Sequence, residues 1–402
     1  MQLLNGLLEW ALWQEGLFVL ASTHLTIVSV TLYLHRCQAH RAVDLHPLIS
    51  HVFRLWLWLT TAMVTRQWVA VHRKHHAKTE TDEDPHSPQV LCIWQVMSQG
   101  AELYARAARD PEISREYGHG TPNDFIERYV YSRYSNLGII ILLITFVALF
   151  GSMGLTYWAI QMIWIPIFAA GFINGVGHYW GYRNFETYDA ATNLTNVAFV
   201  VGGEELHNNN HAYTSSAKFS IRPWEFDLGW GYIWLLKSVG LASVRKVAPR
   251  PLASTHGSTA LDIEAVSAMV SSRLHLMADY AHKVTLPILR KEMQLADNVY
   301  KRALSSIKKT LILEPDKVSH AKLYELNQVL ADSEQLRVVY ECQQQLKQLW
   351  RQRYENNEGL LHALVEWCQM AEQTGIEILQ DFAQSLRGYR LQPVYNLSLI
   401  HI

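Results

Sequence analysis

The distribution of apolar residues divides the chain into a membrane-like first half and a polar second half. Residues 17–34 carry no charged side chain and a single histidine, and residues 137–178 contain no Asp, Glu, Lys or Arg. The core helices of soluble proteins usually keep a polar stripe, so both stretches predict membrane-spanning helices. The second stretch is long enough for two crossings of a ~30 Å hydrocarbon core, with a turn at residues 151–154.

Beyond residue 248 the composition changes. Residues 248–258 are rich in Pro, Ser and Gly, and from residue 261 the pattern is polar and helical, with Pro287 and Pro315 as predicted breaks. We therefore predict a membrane domain over residues 1–248, a linker over 249–260 and a helical C-terminal extension over 261–402. The expected fold class is all-α: a polytopic membrane helical bundle with a cytosolic, histidine-rich cap and a soluble helical extension.

Composition and charge narrow the class of protein further. The 402 residues have a formal net charge of -1, so bulk electrostatics favours no nucleic-acid partner. The cysteines show no CxxC pairing, which is typical of reduced intracellular thiols. They are Cys37, Cys92, Cys342 and Cys368.

Three histidine clusters stand out in the apolar half. They are HRCQAH at 35–40, HRKHH at 72–76 and HNNNH at 207–211. In the second cluster the histidines stand at i, i+3 and i+4, so on a helix they share a face and can converge on one ion; the third cluster repeats the i, i+4 relation. Imidazole suits Fe, Zn, Cu and Ni. One such cluster could be an ordinary polar surface, but three at ligand spacing predict a metal centre.

The first cluster has a different spacing. His35 and His40 are five residues apart, which is not a same-face spacing on an α-helix. Both can reach one site only if the helix end unwinds, and otherwise they serve two different ions. We expect two ions.

Positive charge predicts which side of the membrane the clusters face. Basic residues surround the first two clusters, while the turn at residues 151–154 is uncharged, so the clusters should face the cytoplasm. The basic residues are Arg36, Arg41, Arg54, Arg66, Arg73, Lys74 and Lys78. Counting the crossings then places His178, at the end of the last apolar run, on the same side as a further candidate ligand.

A third apolar segment covers residues 47–64. If it crossed the membrane, the first two histidine clusters would lie on opposite faces and could not share a site. We therefore predict an interfacial or re-entrant helix. Arg54, Trp56 and Trp58 support this reading, because tryptophan favours the headgroup level.

The order of these motifs resembles the membrane-bound fatty acid desaturases, in particular the bacterial relatives of the delta-9 acyl-CoA desaturases. The resemblance covers roughly residues 17–248. It rests on HRCQAH, HRKHHAKTETDEDPHSP, NGVGHYWGYRNF and GGEELHNNNHAYTSSAKFS in that order. It implies a mushroom-like helical bundle whose cytosolic cap holds two iron ions, with an acyl tunnel beneath them.

The resemblance also implies a set of site residues, with none catalytic beyond the metal ligands. The implied ligands are His35, His40, His72, His75, His76, His178, His207 and His211. Asn174 matches a position that approaches iron through a water molecule. The third cluster departs from the family pattern, because Asn210 replaces a histidine; an amide oxygen is a weaker ligand, so one ion would be held less tightly.

Three further side chains have two open readings each. Trp68 could line the acyl tunnel and bind substrate, or it could anchor the protein at the membrane interface. Glu204 and Glu205 could orient ligand histidines, or they could form a solvated pair.

The implied function is an oxygen-dependent acyl desaturase that introduces a cis double bond into a long saturated chain, with delta-9 as the expected position. The implied partners are membrane lipid, an acyl-CoA or acyl-lipid substrate, and a separate electron donor such as ferredoxin with its reductase. The expected location is the bacterial inner membrane. Two alternatives stay open: a di-iron hydroxylase of alkyl chains or sterols, and a metal-binding or lipid-sensing paralogue that has lost turnover.

Overall fold

The computed structural model describes residues 6–253, 260–313, 318–354 and 356–392. Helices account for most of these residues, which confirms the expectation of a helical protein. The chain divides into two compact units, Met1–Ala248 and Pro249–Ile402, which we call the histidine unit and the C-terminal unit. Residues 254–259 of the predicted linker, and Pro315, lie outside the described residues.

The histidine unit is built from helices of varied length. In chain order these are α1 (Leu12–Val28), α2 (Pro47–Thr61), α3 (Thr65–Lys78), α4 (Pro88–Leu91), α5 (Ile93–Ala108), α6 (Pro111–Tyr117), α7 (Leu137–Phe150), α8 (Ser152–Ile165), α9 (His207–Ala212) and α10 (Leu228–Ser238). Two of them continue directly as π-helix, α1 through Ser29–Ala39 and α8 through Pro166–Ile173. A further π-helical turn covers Glu127–Tyr131, and a 3-10 turn covers Val176–His178.

Among the described residues, two helices are long and apolar enough to cross a membrane. One is α1 with its continuation, Leu12–Ala39, and the other is α8 with its continuation, Ser152–His178. The first half of the predicted hairpin is α7, which has 14 residues, fewer than the ~20 that a crossing needs. Gly151 separates α7 from α8 with a φ of 60°, a conformation that glycine adopts without steric cost.

The segment predicted to be interfacial or re-entrant forms a bent pair of helices. α2 and α3 meet at an angle of 85°, which is compatible with a broken span or with a re-entrant loop. The prediction for this segment therefore stays a prediction. The bend brings α3, which carries the second histidine cluster, against the π-helical end of α1, which carries the first.

Arg54 and its neighbours in α2 have partners within the protein. Arg54 is buried and pairs with Asp124 at 2.6 Å and with Glu127 at 2.9 Å. Trp56 and Trp58 also donate hydrogen bonds to protein oxygens, at 2.9 Å each. These side chains bind α2 to neighbouring segments of the protein. They are therefore weaker evidence for a headgroup environment than the sequence alone suggested.

Arg36 anchors the end of α1 from inside the protein. Its guanidinium donates to both carboxylate oxygens of Asp227, at 2.8 and 3.0 Å, and to the carbonyl oxygen of Ala217 at 2.8 Å. It also lies 3.8 Å from the centre of the Phe219 ring. The sequence analysis counted Arg36 as part of the charge facing the cytoplasm, but the side chain is fully buried. It therefore ties the first histidine cluster to the segment that follows the third.

Short strands complete the described structure. They are β1 (Val43–Leu45), β2 (Val197–Ala198), β3 (Phe226–Asp227), β4 (Ala242–Val244), β5 (Pro251–Ala253) and β6 (Tyr389–Leu391). β1 pairs with β4 in antiparallel register and β2 with β3 in parallel register, so both pairs join distant parts of the histidine unit. β5 pairs with β6 within the C-terminal unit.

The C-terminal unit has a helical core of its own. Its helices are α11 (Ile263–Ser271), α12 (Arg273–Tyr280), α13 (Leu286–Leu295), α14 (Asn298–Ile307), α15 (His320–Asp332), α16 (Glu334–Arg351), α17 (Asn357–Gln373) and α18 (Glu377–Arg387). Each helix buries one apolar face, as Leu336, Val339 and Leu346 show for α16. Pro287, predicted as a break, lies in the first turn of α13, and a π-helical turn at Ala281–Thr285 carries the helix through it.

Candidate metal centre

The histidines singled out by the sequence meet in two groups of four. The first group is His35, His40, His72 and His76, and the second group is His75, His178, His207 and His211. Within each group, one ring nitrogen of every histidine lies within 4.8 Å of the corresponding nitrogens of the others. Each group therefore offers four imidazole nitrogens that can bind one ion.

Helix α3 contributes to both groups. His72 and His76 belong to the first group, while His75 belongs to the second, where its Nε2 lies 3.2 Å from that of His178. Successive residues of an α-helix are turned by ~100°, so His75 points well away from His76 although both lie on the same broad face. The prediction that the three histidines converge on one ion is therefore corrected: α3 separates two groups and supplies both.

The π-helical end of α1 places His35 and His40 in the same group. The backbone N–H of His40 donates to the carbonyl oxygen of His35 at 3.0 Å, which is an i→i+5 bond. In this geometry residues five apart lie much closer to one face than they would in an α-helix. The two Nε2 atoms are 2.9 Å apart, so the prediction that these histidines serve different ions is wrong.

Four of the ligand candidates contact a carboxylate through Nδ1. The pairs are His35 with Glu204 (2.6 Å), His75 with Asp84 (2.9 Å), His178 with Glu80 (3.1 Å) and His211 with Asp189 (2.8 Å). An ionised carboxylate can only accept a hydrogen bond, so Nδ1 carries the proton. Each Nε2 then presents its lone pair to its group, which is the tautomer that metal ligation needs.

Most of these carboxylates were missed by the sequence analysis. Glu204 and Glu205 were two candidates in the sequence, but among the described residues Glu205 accepts hydrogen bonds only from the backbone amides of residues 201 and 203. Glu80 and Asp84 follow the second cluster closely in the sequence, and that proximity is the signal that could have found them. A third grouping, His75, Asp84 and His86, shares His75 with the second group.

The electrostatics of the two groups fit a bound cation. Because His75 and His178 both donate through Nδ1, their Nε2 lone pairs face each other across 3.2 Å. The Nε2 atoms of His76 and His211 are buried and have no hydrogen-bond partner among the described residues. Opposed lone pairs and unpaired buried nitrogens are costly by themselves. A metal ion in each group would satisfy them.

Burial keeps the imidazoles of the third cluster in the form that binds metal. It lowers the pKa of His207 well below its ordinary value and lowers the pKa of His211 to about 4. For Asp189, burial alone would raise the pKa of the carboxyl, but the contact with His211 outweighs this and holds the pKa below its usual range. The histidines are therefore neutral at neutral pH, as metal ligation requires.

Asn210 lies at the edge of the first group. Helix α9 directs His207 and His211 to the second group and Asn210 to the first, where its Nδ2 is 3.4 Å from Nε2 of His35. Its Oδ1 is buried and has no hydrogen-bond partner among the described residues. This oxygen is the one polar atom of Asn210 that a metal could use.

An apolar cavity of about 320 Å³ lies beside the histidines. His35, His72 and His207 form part of its wall, and Asn174 also lines it. Trp68 lines the cavity with its ring stacked on that of His72, at a centroid distance of 4.9 Å and an angle of 11°. This position agrees with a role in substrate binding, which stays a prediction.

Sequence comparison matches the histidine unit to known proteins. The family model described as fatty acid desaturase matches residues 11–225. A sn-1 stearoyl-lipid 9-desaturase of Anabaena variabilis is 28% identical over 225 residues, which cover 56% of this chain and 80% of that protein. A sn-1 stearoyl-lipid 9-desaturase of Synechocystis sp. is 30% identical over 223 residues, 55% of this chain and 68% of that protein.

Two further matches complete the comparison. An icosanoyl-CoA 5-desaturase of Limnanthes douglasii is 29% identical over 231 residues, 56% of this chain and 63% of that protein. A second family model, described as transposase, matches residues 266–394. That likeness lies within the C-terminal unit and involves none of the grouped histidines.

The apolar helices, the two four-histidine groups and the adjoining apolar cavity, taken with these matches, indicate a class of membrane-associated enzymes that act on fatty acids. Within that class, this chain belongs to the fatty acid desaturase family. It is an enzyme that desaturates fatty acids.

Proposed function

We propose that the histidine unit is a membrane-bound acyl desaturase domain in which eight histidines hold two iron ions. The observation that carries this proposal is the close approach of Nε2 atoms within two four-histidine groups beside an apolar cavity. Bound iron with dioxygen would supply the oxidising chemistry that an unactivated methylene requires, since no side-chain acid or base can ionise an alkyl C–H bond.

The two ion sites are unequal in this proposal. The second site has four histidines, three of which are fully buried. The first has four histidines and the amide oxygen of Asn210, a weaker ligand than the imidazole that the family pattern has there. Asn174, on the cavity wall one turn before His178, would approach an ion through a water molecule.

The other residues of the site position the imidazoles and the acyl chain, and they keep water away from the chain. The carboxylates on Nδ1 hold each imidazole in one tautomer and orientation, which maintains the geometry of the ligand set. The apolar wall orients a saturated chain beside the histidines and keeps water away from it. Trp68, packed flat on His72, would hold the chain where the wall meets the first group.

The product we propose is a cis double bond at the delta-9 position of a long saturated acyl chain. The relatives from Anabaena variabilis and Synechocystis sp. are named as stearoyl-lipid 9-desaturases, which supports both the position and a lipid-bound acyl chain. Electrons would come from a separate carrier such as a ferredoxin with its reductase. The C-terminal unit is not part of this assignment, because the desaturase match ends at residue 225.

We further propose a polytopic arrangement in the bacterial inner membrane with the histidines facing the cytoplasm. Both long apolar helices end at the grouped histidines, His35 and His40 on one and His178 on the other, which supports a common side. Single cysteines in place of Glu83 and Met153, which are both exposed, test this in a background in which the four native cysteines, including the exposed Cys92, are replaced by alanine. The Glu83→Cys variant should react with an impermeant reagent only from the cytoplasm, and Met153→Cys only from outside. Reaction of both from the same side would contradict the arrangement.

The function itself is tested by gas chromatography of fatty acids from a bacterial host that expresses the chain, with double-bond positions mapped. The wild type should add a delta-9 olefin, and iron analysis should find metal. The His178→Ala variant, which removes one grouped histidine, should abolish the product. His119→Ala, which changes an exposed histidine outside both groups, should not.

Other outcomes assign other functions. A hydroxylated fatty acid would favour the hydroxylase, and unchanged fatty acids with bound iron would favour a sensor. Desaturation of acyl-CoA but not of lipid-bound chains in a membrane assay would move the substrate to the thioester.

A further inference from the structure

Gln161 is a buried amide that the proposed reaction does not use. Its side chain lies in α8 and is 1% exposed. Both its Nε2 and its Oε1 are buried and lack a hydrogen-bond partner among the described residues. The residue lines the apolar cavity. A buried amide without partners is costly, so a residue of this kind requires an explanation.

The position of Gln161 along α8 places it at the far end of the cavity. Of the cavity-lining residues on this helix it is the most distant from His178, and it precedes Asn174 by 13 positions in one continuous helical run. At 1.5 Å per residue this separation is up to about 20 Å. The helix α1 also lines the cavity over more than one turn: Ile27 is the lining residue that lies furthest from His35 along it.

Two helices that line the cavity, α1 and α8, are in contact just beyond this amide. One turn further from the histidines, Tyr157 is buried and its hydroxyl donates to the carboxylate of Glu15 in α1. This contact joins α1 and α8 at that level, and neither residue lines the cavity.

Two other hydroxyls of the cavity lining, from Thr60 and Thr61, already donate to carbonyl oxygens of their own helix at 2.8 and 2.7 Å. The hydroxyl of Tyr104 also lines the cavity without a partner among the described residues, but Tyr104 packs against Ala70 and Val71, next to the histidines of α3. Gln161 is therefore the unsatisfied polar group at the far end of the cavity, among the described residues.

We propose that Gln161 determines the length of acyl chain that the enzyme accepts. This inference rests on the proposed desaturase function and specifies its substrate. A saturated chain that reached the far end of the cavity would displace water from it and leave the amide against methylene groups, without any hydrogen-bond partner. Chains that stop short of Gln161 avoid this cost. A longer chain is accepted only if its distal end can itself hydrogen-bond.

The first test compares chains in membranes that contain the full-length wild type. Saturated acyl chains are supplied in two-carbon steps, and the double-bond yield is measured for each. The shortest chain that is poorly converted is then supplied again with a hydroxyl group on its terminal carbon. The hydroxyl should restore conversion roughly tenfold, because it satisfies the amide.

The second test removes the amide. Gln161→Met keeps an unbranched side chain of similar length without polar atoms, so it should raise conversion of the longer methyl-ended chain roughly tenfold and abolish the advantage of the hydroxyl. Ile163→Leu, an apolar exchange at an exposed position of α8 that does not line the cavity, should leave the length profile unchanged. The amount of each variant in the membrane is measured alongside.

The results separate the two proposals. A wild type that forms no double bond in any chain contradicts the desaturase function itself. A wild type that desaturates, but gains nothing from the terminal hydroxyl, overturns the role of Gln161 even if the Gln161→Met variant fails to accumulate. An unchanged length profile in a well-accumulated Gln161→Met variant overturns it as well.

Discussion

The backbone N–H of His40 donates to the carbonyl oxygen of His35 at 3.0 Å, and the Nε2 atoms of the same two residues are 2.9 Å apart. One hydrogen bond of π-helical type thus converts a spacing of five residues into a shared ligand position. π-Helical turns inside longer helices are frequent at functional sites. Here the turn gives the first group half of its histidines.

The adjacent glutamates of the GGEEL segment provide a matched pair of variants. Glu204→Gln removes the charge that accepts from Nδ1 of His35, so we expect metal affinity to fall by roughly 10–100-fold. Glu205→Gln alters a carboxylate that accepts only from backbone amides in the described structure, so metal affinity should stay near that of the wild type while thermal stability falls. Competition with a chelator, read out as bound iron, distinguishes the two; equal losses would contradict the assignment of Glu204.

Asn210→His should strengthen the first ion site. The substitution restores an imidazole where Oδ1 now lies unpaired beside the first group, and imidazole is the better donor for iron. After dialysis against a chelator, we expect the variant to retain more iron per protein than the wild type, while Asn210→Ala retains less. If all three proteins keep the same amount, Asn210 does not influence the site.

Arg36→Met should destabilise the histidine unit strongly. It leaves the Asp227 carboxylate buried without its cation, and breaking a buried pair in this way costs about 3–5 kcal/mol. The melting temperature in detergent should fall accordingly. Combining Arg36→Met with Asp227→Leu removes both charges and should recover part of the loss; a double variant that melts below the single variant would contradict this account.

A chain that ends at Ala248 should keep its iron and its desaturase activity. The described residues of the two units have separate cores, and the desaturase match lies wholly in the first unit. Activity per protein within about twofold of the full-length chain is expected, because no grouped histidine is removed. Complete loss of activity in a truncated protein that still binds iron would show that the C-terminal unit takes part in turnover.

The composition and spacing of the histidine clusters were sufficient to identify the ligand candidates. Imidazoles repeated at i, i+4 do not depend on the rest of the fold to share a helix face, and long uncharged runs predict helices without further information. For this reason His72 and His76, and likewise His207 and His211, lie together as the spacing predicts.

The assignment of ligands to the two groups depended on information that the spacing does not contain. A spacing describes directions around one helix axis, whereas group membership depends on where the neighbouring helices place their own side chains. His75 therefore lies in a different group from His72 and His76, because α9 and His178 place the other three histidines of the second group beside it. Arg36 shows the same limit, because its charge is visible in the sequence but its partner Asp227 is 191 residues away.

By itself the sequence determined which side chains could bind metal, which stretches are apolar enough for a membrane, and which family the chain resembles, because these properties reside in residue identity and short-range order. Three features could be seen only in the folded protein: how the histidines divide into two groups, which carboxylates contact Nδ1 of the ligand histidines, and that Gln161 lines the cavity without a partner among the described residues. Those features arise where segments far apart in the chain pack together, and the spacing of residues within one segment cannot predict such packing.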